Sequence, residues 1–108
     1  MRVLTIRQPY VDKIFKGKKK REYRCWNTDY RGPLVIHAAV AKNEDGYRPS
    51  MPTGALVGVV DVVGCIYSPT HDDYSFVLRN PRLFKTPIPM KGQLGFWNVP
   101  DELVEKSL

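Results

Sequence analysis

The sequence is poor in the residues that carry metals and redox chemistry: two cysteines and two histidines in 108 residues. Cys25 and Cys65 lie far apart with no C-x-x-C spacing, so neither a zinc ribbon nor a redox pair is indicated, and both read as reduced thiols. No metal site and no cofactor is expected. There is no G-x-S-x-G turn and no visible Ser-His-Asp arrangement. No apolar run approaches the roughly 20 residues needed to span a bilayer, and the opening Met1–Ile6 lacks the apolar stretch of a signal peptide. The expectation is a cytoplasmic protein without membrane contact. Internal repeats and low-complexity segments are absent as well.

What remains, 43% hydrophobic and 26% charged residues, has the size and balance of one domain over 1–108, expected to be a monomer. The net charge of +6 is unevenly spread: residues 1–31 hold ten Lys and Arg against three acids (+7), and residues 32–108 hold seven against eight (−1). Basicity confined to the first third suits a polyanion, nucleic acid first. A membrane surface fits less well, because the basic tract has no long apolar helical face to insert.

The charge concentrates in Gly17–Arg24, followed directly by Cys25-Trp26-Asn27; this run carries five of the seventeen Lys and Arg residues. A basic run is ordinarily a solvated face. Here, however, Glu22 interrupts it where a plain phosphate patch has no use for an acid, and Tyr23 and Trp26 add flat rings. Gly17 also follows an amphipathic segment, which pins the run at a helix-to-strand junction.

Val3–Ile6 reads as a first strand. Pro9 fits the first turn of a helix whose buried stripe is Val11, Ile14 and Phe15, with Gly17 to end it. Over Lys20–Cys25 a strand is expected, with Lys20, Glu22 and Arg24 on one face and Arg21, Tyr23 and Cys25 on the other. Asn27–Pro33 is a turn cluster and Leu34–Val40 an apolar strand. Within it His37 reads as a hydrogen-bonded core residue, since nothing sits at metal spacing. Ala41–Thr53 is a mobile loop. Ala55–Tyr67 is one long strand bent at Gly58 or Gly64; its Asp61 either partners a base or, the preferred reading, simply faces outward. Ser68–Asp73 is a loop and Tyr74–Leu78 a strand. Asn80-Pro81 turns the chain, and Pro87, Pro89 and Gly92 keep the next stretch irregular. Gly95–Val99 closes the sheet, and Pro100-Asp101-Glu102 starts a short C-terminal helix. The fold class is α+β, mostly β: a small barrel of five or six strands with one early helix.

Gly17, Lys19, Glu22 and Arg24 match G-x-K-x-x-E-x-R, the signature of the ASCH domain family (activating signal cointegrator homology), a branch of the PUA-like β-barrel superfamily. Further blocks resemble the family in order: Ile6–Tyr10, Arg24–Thr28, Arg31–Ala38, Pro52–Gly58 and Gly95–Val99. The similarity runs from Val3 to about Val99. The resemblance implies a barrel with a cleft where the signature converges, a role in binding RNA or other nucleic acid, and, in some relatives, amidohydrolase activity on N4-acetylcytidine or nuclease activity. Amidohydrolase members pair the signature lysine with a threonine three residues on; this chain has Glu22 there, and Ala39 and Val40 replace the Ser-Lys of a His-Ala-Ser-Lys continuation.

The leading expectation is a nucleic-acid-binding module holding single-stranded RNA or a modified nucleotide in a basic cleft. Lys19, Lys20, Arg21, Arg24 and Arg31 would meet phosphates, Trp26, Tyr23 or Tyr30 would stack on bases, and Glu22 and Asn27 would read base edges. Against that, Trp26 could be core and Glu22 could serve only to hold Arg24 or Lys19. The alternative is a small hydrolase acting on acylated cytidine or RNA, using Lys19 and Glu22 as base and acid. A third reading, a protein-interaction domain, sets the basic face against an acidic partner.

Overall fold

The computed structural model describes residues 1–40 and 44–108. Among them the chain forms β1 (Arg2–Arg7), α1 (Tyr10–Phe15), β2 (Arg21–Arg24), β3 (Gly32–Ala39), β4 (Ala55–Ser68), β5 (Asp73–Pro89), β6 (Phe96–Asn98) and α2 (Asp101–Glu105). The strands make one sheet in the order β2-β5-β4-β3-β1-β6, antiparallel except where β1 runs parallel to β3. The mostly β class and the two short helices are as the sequence implies. Among the described residues no helix is long and apolar enough to cross a membrane.

Strand period two sorts the side chains into two cores. Leu4, Ile6, Leu34, Ile36, Val60, Val62, Phe76 and Leu78 turn to one face, where Val11 and Ile14 of α1 cover them. Val3, Val35, Leu56, Val59 and Phe84 turn to the other, against Trp97, Val99 and Val104. β3 is therefore buried on both faces, which is why its sequence is apolar throughout instead of alternating.

The outer strands β2 and β6 are not hydrogen-bonded to each other; side chains close the gap. The Trp26 indole stands edge-on to Phe76 of β5 at 5.0 Å and to Phe96 of β6 at 4.9 Å. The result is a barrel-like sheet left open along one seam.

Several local expectations change. Asn80-Pro81 is not a turn: β5 continues through it to Pro89. Val59 pairs with Arg82 and Asp61 with Arg79, so β5 carries an extra residue at this point, a bulge that Asn80 accommodates at φ 56. The irregular stretch expected at Pro87 and Pro89 lies in the same strand. Asp61 partners a base after all, 3.1 Å from Arg82 Nη2, with Asn80 Nδ2 donating to it at 3.2 Å. Of the predicted loop 41–53, residues 41–43 lie outside the described residues; residues 44–53 form no helix or strand.

Gly58 is where β4 and β5 cross α1. A Cβ there would stand 2.3 Å from the Arg82 carbonyl oxygen and 2.7 Å from the Phe15 ring. Gly58→Ala is expected to lower stability by roughly 1–3 kcal/mol, as overpacking does. Gly64→Ala, whose Cβ would meet Val77 at 3.4 Å, should be close to neutral. Urea unfolding midpoints of the two variants check this; equal losses would refute the close approach at Gly58.

Candidate functional site

The basic run starts at a helix end that holds it still. Gly17 takes φ +75, its N–H bonds to Ile14 O at 3.1 Å, and Lys18 N–H reaches Lys13 O at 2.9 Å, the paired bonds of a Schellman cap. Lys19 N–H reaches the same Lys13 oxygen at 3.1 Å. The chain then enters β2, where Glu22 pairs with Phe76 and Arg24 with Tyr74 of β5. Alternation turns Glu22 and Arg24 inward and leaves Arg21, Tyr23 and Cys25 exposed.

The inward pair faces a cleft of about 620 Å³ whose lining includes Thr5, Arg7, Tyr10, Lys19, Glu22 and Arg24, with Tyr23 on its rim. Glu22 is the only acid among the lining residues and is 8% exposed. Its Oε1 lies 3.5 Å from Lys19 Nζ, and its Oε2 accepts from Arg24 Nε at 3.1 Å with Arg24 Nη2 at 3.0 Å. The same Nη2 donates to the main-chain oxygen of Thr5 at 2.8 Å. One guanidinium thus ties β2 to β1 across the open seam. Lys19 Nζ also sits between two rings, 5.5 Å from the centroid of Tyr10 and 5.0 Å from that of Tyr23, close enough for cation–π attraction to both.

A shallower groove of about 330 Å³ adjoins the cleft. It is lined by Lys13, Lys18, Lys20 and Arg21 and shares Tyr10, Lys19 and Tyr23 with the cleft. At the opposite rim Arg7 is 62% exposed and bound to Glu44 at 2.6 Å.

Of the candidate residues, the structure brings Lys19, Glu22, Arg24 and Tyr23 together in the cleft and sets Lys20 and Arg21 beside it. It does not bring the rest. Trp26 packs in the core seam. Tyr30 packs there too: its ring meets Phe96 at 5.9 Å and is covered by Arg2 at 4.5 Å, and its hydroxyl donates to Pro33 O. Burial pushes the Tyr30 hydroxyl above its ordinary pKa; nearby Arg2 opposes the shift and Asp61 adds to it. Asn27 accepts from Thr28 N–H at 2.8 Å, and Arg31 folds back on the Thr28 and Tyr30 carbonyls at 3.1 and 2.9 Å. These polar groups stabilise their own turn. Sequence reasoning missed Tyr10, which opens α1 one residue past the buried Pro9 and is partly buried against the core; no local signal ties it to the basic run.

A family model for the ASCH domain matches residues 4–88, which contain every residue of the cleft. The chain belongs to the ASCH domain family. This ASCH chain is 25% identical over 130 residues to human Activating signal cointegrator 1, covering 93% of this chain and 22% of that protein. The mouse protein of the same name matches equally. The chain thus spans about a fifth of the length of these curated relatives, 22%. Among solved structures, ASCH from Zymomonas mobilis superposes with a TM-score of 0.65 at 14% identity, over 94% of this chain and 88% of that one. A tyrosine-to-phenylalanine variant of that protein gives 0.67 at 14% identity over 97% and 94%. At such identity the likeness is one of fold.

If the carboxylate holds the ASCH signature together, removing its charge must cost stability. Glu22→Gln is expected to lose roughly 2–4 kcal/mol, because two part-buried cations are left without their counter-charge. Arg24→Lys, which keeps the charge but cannot span Glu22 and Thr5 O, should lose about 1–2 kcal/mol. Denaturant unfolding of both variants is the check; an unchanged Glu22→Gln protein would show the pair to be incidental.

Proposed function

We propose that this ASCH chain is a nucleic-acid-binding module that seats single-stranded RNA, or a modified nucleotide, in the cleft and runs the backbone along the adjoining groove. The observation that carries this reading is the continuity of the two. Lys19, between the rings of Tyr10 and Tyr23, stands where the cleft meets the groove of Lys13, Lys18, Lys20 and Arg21, and no acid lines that groove. Cations spaced along a track with rings at its entrance suit a single strand, whose bases can leave the backbone line and stack. Membership of the ASCH family supports the same reading.

The roles divide by face. Lys18, Lys20 and Arg21 meet phosphates; Tyr23, half exposed at 56%, and Tyr10 offer ring faces. Glu22 and Arg24 frame the cleft floor. Trp26, Asn27, Tyr30 and Arg31 are left out, being committed to the seam and its turn. The site lies within one chain, so a monomer suffices, and a cytoplasmic RNA is a suitable target.

The hydrolytic alternative asks Glu22 to exchange a proton with a substrate. Both of its oxygens already face cations, Oε1 toward Lys19 and Oε2 toward Arg24, so binding is the better-supported use of the pair. It also differs from the lysine–threonine pairing implied for amidohydrolase relatives.

For about four phosphate contacts on a single strand, log affinity should fall against log salt with a slope of roughly −3. Arg21→Ala should reduce that slope by about 0.7 with little effect on stability, whereas Tyr23→Ala should lose about 1–3 kcal/mol of affinity. Fluorescence anisotropy of a labelled single-stranded RNA across a salt series reads all three. A flat salt dependence would sink the reading, and turnover of N4-acetylcytidine or RNA that vanishes in Lys19→Ala would replace it with the hydrolase.

A further inference from the structure

Beside the cleft, the fold buries an acceptor that no described group satisfies. His37 is the neighbour of Thr5 in the parallel register of β1 and β3 and is 2% exposed. Its Nε2 lies 2.6 Å from the Met90 carbonyl oxygen. A carbonyl only accepts, so Nε2 carries the hydrogen, and Nδ1 of the neutral ring keeps a lone pair. That Nδ1 is buried and has no partner. Trp97, edge-on to the His37 ring at 5.7 Å, gives its indole N–H to Thr5 Oγ1 at 3.2 Å. Buried polar groups seldom go unpaired in folded proteins, and such a group calls for a role.

The surroundings describe what would pair with it. His37 lines a pocket of about 420 Å³ together with Thr5, Val40, Lys91, Gln93 and Leu94 among others. The pocket wall at 90–95 has no regular secondary structure. It crosses the imidazole at Gly92, where a Cβ would lie 2.9 Å from Nδ1 and 2.8 Å from Cε1. Only a glycine passes there, and only a shift of this crossing uncovers Nδ1. The rim is aliphatic and open to solvent, with Leu94 99% and Val40 61% exposed. Lys91 is the sole formally charged side chain of the lining. The fitting occupant has a flat apolar body, an N–H donor and a negative group. Thr5 lines this pocket and the cleft alike, so the occupant lies next to whatever the cleft holds.

We propose that this pocket is a second nucleotide subsite, taking the nucleotide adjacent to the one in the cleft. With the Gly92 crossing displaced from the imidazole, its base enters under Val40 and Leu94 and donates an N–H to His37 Nδ1, and its phosphate meets Lys91. The inference rests on the RNA reading of the cleft and extends it: the footprint spans at least two neighbouring nucleotides around the end of β1, and the second must present a donor.

The test is an NMR titration of the whole chain with uridine monophosphate and with uridine-containing dinucleotides in both orders, following the ¹⁵N resonance of His37 Nδ1. The dinucleotide is expected to bind roughly tenfold tighter than the mononucleotide, the increment of one added base contact, and to move the Nδ1 resonance. N3-methyluridine at the second position, which has no base N–H, should lose both effects. Val40→Asp with Leu94→Asp, both at exposed positions, should abolish the tenfold increment and leave mononucleotide binding unchanged. An unmoved Nδ1 resonance, or an increment indifferent to the two aspartates, overturns the subsite while a Lys19-dependent mononucleotide affinity keeps the cleft reading. RNA binding unaffected by Lys19→Ala overturns both.

Discussion

The structure depends on one carboxylate held between two cations. Glu22 sits on an edge strand, inward-facing and nearly buried, a position where an unpaired charge would cost several kcal/mol. Lys19 and Arg24 meet its two oxygens separately, one from the helix-to-strand turn and one from the next inward position of β2. The spacing of the family signature follows from this. Glu22 and Arg24 are two apart because a strand returns to the same face every second residue. Lys19 is three before Glu22 because the chain has to leave its Schellman cap before pairing begins. Remove the acid and two positive groups face each other across the cleft.

The cleft exists because β1 outruns its partner. β6 pairs only with Arg2–Leu4, so from Thr5 onward one edge of β1 has no strand beside it. Thr5 O points across the seam to Arg24, and by alternation the main-chain groups of Arg7 face the same way. An unpaired edge of this kind invites pairing with other chains. Here Arg24 satisfies one of its carbonyls and the Trp26–Phe76–Phe96 cluster holds the two outer strands near each other. The gap survives as a cleft instead of closing into a sixth pairing of the sheet. The same shortage of pairing leaves the 90–95 segment, which leads into β6, crossing His37 without strand neighbours.

Much of this was legible in the sequence, and the failures have physical causes. The helix stripe, the Gly17 stop, the face assignment of Glu22 and Arg24, and the bends of β4 rest on local periodicity and on residues with narrow backbone preferences, which act over a few positions. Asn80-Pro81 misled because a bulge and a turn ask for the same residues; only the register against Val59 and Asp61 separates them. Trp26 was ambiguous because a ring beside a basic run serves equally as platform or as core, and Tyr30 was read as a platform; the places of both were decided by Phe76 and Phe96, distant in sequence. Asp61 depended on Arg82 arriving opposite it. Tyr10 escaped notice because nothing local ties a helix start to a lysine nine residues on; the Schellman turn does that, by folding Lys19 back over the helix.

Counting Lys and Arg in Gly17–Arg24 overstates what is available to a ligand, since Arg24 is occupied by Glu22 and Thr5 O, and Lys19 by Glu22 and two tyrosine rings. The positions on the other side of the turn and strand, Lys18, Lys20 and Arg21, are exposed. The tract is therefore two devices interleaved over the turn and β2: inward residues that close a seam by electrostatics where hydrogen-bonded pairing stops, and outward residues that present charge. Because closing the seam also builds the cleft wall, the groups that hold the fold together shape the space a ligand would enter. Stability then rests on Lys19 and Glu22 and not on Lys20 and Arg21, so substitutions at the first pair are expected to cost stability while those at the second leave it nearly unchanged.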